Sequence, residues 1–171
     1  ILTLALTEPS ARYEPDAITV KASRDKDDYV INGTKLFVPD ANVADYIICA
    51  ARTKDGASPE DGITLFIVDA KRPGISITLL KTIAGDKQCE VIFDNVRVPK
   101  GNIIGQLNKG WPVVEKVLQK ATVGLCAQMV GGAQKVLEMS VNYAKERVQF
   151  GRPIGSFQAI QHYCANMWMS V

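Results

Sequence analysis

Three groups of polar residues stand out by type and spacing. Thr7-Glu8-Pro9 closes the apolar run Leu4-Ala5-Leu6. Asn32-Gly33-Thr34-Lys35 interrupts a β-like stretch. Arg147-Val148-Gln149-Phe150-Gly151 is followed closely by Phe157-Gln158-Ala159-Ile160-Gln161. Hydroxyls, amides and a guanidinium hydrogen-bond and pair with anions, which is the chemistry of holding a ligand. Taken singly, each group has a plain reading: a strand end with an X-Pro turn, a hairpin, and a glycine-capped helix end. His162 is the sole histidine, so no His-based metal cluster can form and no metal ligand is assigned. Cys49, Cys89, Cys126 and Cys164 are widely spaced and form no CxxC pair, as expected of buried free thiols in a reducing compartment.

The elements that must position these groups divide into two kinds. Before residue 105 the pattern is β. Ile18–Ala22 alternates, and Asp28–Val38 contains Asn32-Gly33, a strong signal for a type I′ hairpin turn. Asp45–Arg52 and Ile63–Val68 read as buried strands around the polar loop 54–62. Ile75–Leu80 and Cys89–Val98 follow as two more. Short strands without intervening helices predict an antiparallel barrel or sandwich. From Trp111-Pro112, apolar residues recur at Val114, Val117, Leu118, Leu125, Met129, Val136, Leu137, Val141 and Ala144. That spacing predicts one long helix to about Arg147, with proline at its first position. Gly131-Gly132 within it suggests close packing of a neighbouring helix. Ser156 is the expected N-cap of a second helix. The fold expected is α+β: a β-barrel or sandwich domain over 1–105, then a partial antiparallel helical bundle over 106–171.

Hydrophobic residues form 47% of the 171 residues and the net charge is +2. That excludes disorder and gives no electrostatic case for nucleic-acid binding. No apolar run approaches the roughly 20 residues of a membrane span. The chain opens on Ile1 and stops inside a helical pattern, so it reads as the middle of a longer chain. With no signal peptide visible, a cytoplasmic location is the default; a processed protein of the mitochondrial matrix would look the same.

In this order and spacing, the three groups resemble the acyl-CoA dehydrogenase family. Its middle domain carries Thr-Glu-Pro, a strand of the type Tyr-Val-Ile-Asn-Gly-Thr-Lys (here Tyr29–Lys35) and an Ala-Asp pair (here Ala44-Asp45). Its helical domain carries Glu-Arg-x-x-Phe-Gly-x-Pro-Ile (here Glu146–Ile154) and Phe-Gln-x-Ile-Gln (here Phe157–Gln161). Phe93–Pro99 also matches. The resemblance implies FAD as cofactor. Leu4, Leu6 and Thr7 would lie along the flavin ring, contributing main-chain groups and the Thr hydroxyl. Phe37 and Val38 would stack on it. Arg147 and Gln149 would reach FAD held by a neighbouring subunit, the guanidinium pairing with the pyrophosphate. Phe150, Phe157 and Gln158 would make further cofactor contacts. The implied reaction is α,β-dehydrogenation of an acyl-CoA, a carboxylate taking the α-proton while hydride leaves the β-carbon. An electron-transfer flavoprotein or similar acceptor and a homo-oligomer, dimer or tetramer, are implied with it.

The chain departs from the family pattern at several points. Ser10-Ala11-Arg12-Tyr13-Glu14 stands where small residues and a serine are usual, so the substrate side there falls to Tyr13. Pro39 replaces a threonine and removes a hydrogen bond toward the flavin. On the long helix, Gln119 and Thr122 replace an Asp and an Arg that contact CoA, and Lys120 is the candidate to supply charge. The family's alternative base position is Ala121 here. Glu115 and Glu138 read as solvated helix-surface charges, so no catalytic residue is assigned and the fragment alone is expected to be inactive. Two other readings stand beside the dehydrogenase: a monooxygenase or oxidase of the same fold, favoured by Pro39, and a non-catalytic interaction domain.

Overall fold

The computed structural model describes residues 1–171, which form two compact units, Ile1–Glu115 and Lys116–Val171.

The first unit is built on β1 (Leu2–Ala5), β2 (Lys21–Asp25), β3 (Asp28–Pro39), β4 (Tyr46–Arg52), β5 (Ile63–Asp69), β6 (Ile75–Leu80), β7 (Gln88–Pro99) and β8 (Ile103–Ile104). They make one sheet in the order β6-β7-β3-β2-β4-β5-β8, with β1 paired to β4 off that path. The sheet therefore does not close into a barrel: β6 and β8 end it. Nor is it antiparallel throughout. β1 runs parallel to β4 from Leu2↔Tyr46 to Ala5↔Cys49, and β2 meets the same edge of β4 in parallel at Lys21↔Arg52. One edge of β4 is thus shared by two strands, and the chain between them, residues 6–20, leaves the sheet.

Alternation places Tyr29, Ile31, Ile47, Phe66, Val68, Val91, Phe93, Val96 and Val98 in one core, where the Tyr29 and Phe66 rings pack 5.2 Å apart. The hairpin lies elsewhere than the sequence suggests. Asp25 pairs with Asp28, so the turn is Lys26-Asp27, with Lys26 at φ 57°. Asn32-Gly33 sits inside β3, because β7 pairs with both halves of that strand, from Asp28↔Pro99 to Pro39↔Gln88. The register slips between Ile31 and Gly33, making a bulge. Asn32 Oδ1 braces it by accepting the Asn95 N–H at 2.8 Å. The predicted Ile18–Ala22 strand starts late, at Lys21. The Thr19 and Val20 N–H groups bind the Glu8 carboxylate, at 2.8 and 3.1 Å, in place of a strand partner.

The second unit holds most of α1 (Trp111–Glu146), then β9 (Val148–Gln149), β10 (Arg152–Pro153) and α2 (Gln158–Ser170). Trp111 is the first helical residue and Pro112 the second, where its missing N–H is equally harmless. No other part of the chain lies within 4 Å of where side chains on Gly131 and Gly132 would begin, so no helix of this chain packs there. What the sequence shows as a helix break is a small hairpin: Gln149 pairs with Arg152, and Phe150 (φ 53°) and Gly151 (φ 76°) supply the two positive φ values of its turn. Ser156 is not the N-cap. Its hydroxyl donates to the Pro153 carbonyl at 2.7 Å, and Phe157 occupies the cap position. No helix is long and apolar enough to cross a membrane.

Candidate cofactor site

The fork at β4 brings two of the sequence-predicted groups together. Residues 3–8 lie against the end of β3: the Thr3 hydroxyl donates to the Pro39 carbonyl at 2.6 Å, the Leu36 N–H to the Thr7 carbonyl at 3.0 Å, and the Thr7 hydroxyl to the Leu36 carbonyl. Between Lys35 and Val38 the β3–β7 register slips again, and Phe37 takes φ 55°. Positive φ is unfavourable for a bulky residue. Here it turns the Phe37 ring outward, 42% exposed. Val38 goes the other way and is 1% exposed, inside the core. Its side chain cannot stack on a ligand, so Val38 offers main chain only. The Thr7 hydroxyl has spent its proton on Leu36, so toward a ligand it can only accept. Leu4 is half-buried and Leu6 buried.

The Leu6 and Thr7 N–H groups donate to no acceptor of this chain, although both residues are buried. Buried N–H groups without partners are rare in folded proteins. Two adjacent ones beside an outward-turned aromatic ring fit a planar ligand with acceptors along its edge, which is what a flavin presents.

Beneath this edge lies a pair that sequence reasoning left without a role. Lys35 is 0% and Glu8 2% exposed. Lys35 Nζ donates to Glu8 Oε1 at 2.7 Å and to the Leu6 carbonyl at 3.1 Å. Glu8 also accepts from the Thr19 hydroxyl and N–H and from the Val20 N–H. Burial pushes the Glu8 carboxyl up, but the Lys35 charge and hydrogen bonds from Lys35 and Thr19 outweigh it and hold the pKa below its ordinary value. A carboxylate so engaged is no general base. The signal was present in the strand parity: Lys35 is in phase with Tyr29 and Ile31, which face inward.

In the second unit, Arg147, Gln149, Phe150, Phe157 and Gln158 gather around the β9–β10 hairpin. The Arg147 carbonyl accepts the Ile154 N–H at 2.8 Å, closing the base of the hairpin. Phe150, 92% exposed, meets Phe157 edge-on with ring centres 6.1 Å apart. Arg152, absent from the sequence-predicted set, lies with its guanidinium carbon 4.1 Å from the centre of the Phe157 ring. The guanidinium of Arg147 is exposed and in no ion pair. Two guanidiniums with one exposed and one half-buried aromatic ring suit a phosphate-bearing ligand with a flat base. The chemistry of both donor sets fits FAD.

The expected substrate contacts are less developed. Tyr13 is exposed in the first unit. Gln119, Lys120 and Thr122 are exposed on α1, and the Thr122 hydroxyl turns back to the Leu118 carbonyl at 2.9 Å. Glu138 is exposed and bonds Gln134 and Lys135 one turn away, as a surface charge would.

Two family models match: acyl-CoA dehydrogenase middle domain over residues 3–96, and acyl-CoA dehydrogenase C-terminal domain over 108–171. A 3-(aryl)acrylate reductase from Clostridium sporogenes is 42% identical over 169 residues, 97% of this chain and 45% of the relative. The caffeyl-CoA reductase-Etf complex subunit CarC from Acetobacterium woodii is 37% identical over 169 residues, 97% of this chain and 44% of the relative. Among solved structures, a glutaryl-CoA dehydrogenase from Mycobacterium smegmatis in complex with FADH2 superposes with a TM-score of 0.88 at 28% identity, covering 99% of this chain and 43% of that one. The chain spans about half the length of the curated relatives it matches.

Proposed function

Because this chain belongs to the acyl-CoA dehydrogenase family, we propose that it supplies the flavin-holding centre of an enzyme that interconverts an acyl-CoA thioester and its α,β-unsaturated counterpart. The observation that carries this is the pair of unpartnered N–H groups at Leu6 and Thr7 beside the outward-facing Phe37 ring. FAD, when bound, supplies the hydride acceptor. The chain's own residues hold and orient. Leu6 and Thr7 donate main-chain hydrogen bonds, the Thr7 hydroxyl accepts one, and Phe37 covers an aromatic face. Arg147, with Gln149, Phe150, Phe157 and Gln158, binds the nucleotide part, and in a homo-oligomer it would serve the neighbour's cofactor. Tyr13 of the first unit and Gln119, Lys120 and Thr122 of the second are the proposed substrate contacts, each within its own unit. The α-proton is taken by a carboxylate outside this chain. An electron-transfer flavoprotein is the proposed redox partner; one of the similar proteins is named as a subunit of such a complex.

Pro39 favours a second reading, an oxygen-using flavoprotein of the same fold. Proline has no N–H or hydroxyl to give the flavin, and its carbonyl is taken by Thr3. The discriminating assay follows 2-enoyl-CoA formation by the whole protein with an electron-transfer flavoprotein or with oxygen as acceptor. The dehydrogenase reading expects turnover with the flavoprotein and slow oxygen consumption. Fast oxygen consumption by the reduced protein would replace it with the second reading.

A further inference from the structure

Lys35 is the one lysine of the chain wholly removed from solvent, and it touches the proposed flavin strand directly. A buried ion pair is a poor device for stability, since apolar residues of similar volume commonly serve as well. Its geometry suggests another role. The Lys35 ammonium donates to the Leu6 carbonyl at 3.1 Å. That carbonyl and the Thr7 N–H belong to one peptide group, and the N–H has no acceptor in this chain. The peptide is conjugated, so a cation on the oxygen draws electron density from the nitrogen and strengthens the N–H as a donor. The low-polarity surroundings magnify the effect.

We propose that Lys35 is a positioning residue that tunes the bound flavin through the Leu6–Thr7 peptide, with Glu8 setting how much of the ammonium charge that peptide feels. This rests on the flavin reading above. Reduction places negative charge on the flavin, and a stronger donor at Thr7 favours the reduced form. Glu8 opposes this by lying 2.7 Å from the same ammonium. Its bonds to Thr19 and Val20 fix it there.

The test measures the reduction potential of FAD in the whole, flavin-loaded protein, alongside its unfolding midpoint. Lys35→Gln keeps a donor and removes the charge; the potential is expected to fall. Glu8→Gln leaves the ammonium without its counter-charge; the potential is expected to rise. Both variants lower the unfolding midpoint, so a purely structural role predicts parallel losses of stability with the potential unmoved. That result, or shifts of the same sign, overturns the proposal. Should Lys35→Gln fail to fold, Glu8→Gln decides alone: a rise supports the tuning, and no rise overturns it. Wild-type protein without flavin overturns the functional reading and this one together, whereas flavin with unmoved potentials overturns this one only.

Discussion

Phe37 is held at a φ that costs a side chain about 1–2 kcal/mol relative to ordinary backbone. Phe37→Gly would relieve that strain and lose only a half-exposed ring. Its unfolding free energy should therefore change by less than about 1 kcal/mol, while FAD is retained more weakly. Chemical denaturation and FAD titration of the whole protein check the two halves separately. The buried pair behaves oppositely. Lys35→Met leaves the Glu8 carboxylate without its counter-charge and should cost about 3–5 kcal/mol by denaturant titration. The pH dependence has a definite sign. The folded Glu8 pKa is depressed, so its stabilisation is full above the ordinary value of 4.5 and is lost as pH falls through the folded value. Unfolding midpoints across the acid range should show this limb in the wild type and flattened in Glu8→Gln. Burial pushes the Cys49 thiol up to about 11, so at neutral pH it should resist thiol reagents until the protein is unfolded. Leu4–Thr7 and Phe37 were singled out by the family resemblance, position by position. That Val38 faces the core could not be read from the sequence, because the bulge after Lys35 shifts the strand parity by one, and no local residue type announces it.

Strand pairing decided where the turns fall. Asn32-Gly33 carries the composition of a hairpin turn, yet β7 offers partners along the whole of β3, and a through-strand with a bulge forms more ladder bonds than a turn would. Gly33 has φ 139°, and a Cβ there would meet Val20 Cγ2 at 2.7 Å. Gly33→Ala should cost roughly 1–3 kcal/mol, measured as a lowered denaturation midpoint with an unchanged denaturant slope. β5, β6, β7 and α1 were legible nearly to the residue because their periodicity is strong. β1 was not, since a four-residue strand paired in parallel has no turn to mark it. The β9–β10 hairpin was hidden within a glycine-containing helix break. Its Arg147 guanidinium is exposed and unpaired, so Arg147→Ala should leave the melting temperature in place. It should weaken FAD binding by about 1.5–3 kcal/mol, roughly tenfold or more in Kd.

At the level of the molecule, each of the two units carries its own set of proposed cofactor contacts, around Leu6, Thr7 and Phe37 in the first and around the β9–β10 hairpin in the second. No catalytic carboxylate is assigned in either unit. Glu8 is fully engaged, Glu138 is a surface charge and position 121 is alanine. The helical unit leaves Val123, Leu125, Met129 and Val136 exposed along α1, and the matched relatives are about twice as long as this chain. The proposed reaction is therefore tested on the whole protein, and the proposed cofactor contacts on these residues within it. The most direct test is the visible spectrum of the whole protein, recorded without oxygen before and after adding a panel of saturated acyl-CoAs. Flavin bands are expected in the purified protein, and they should bleach with at least one member of the panel. Protein that carries no flavin after gentle purification would contradict this expectation.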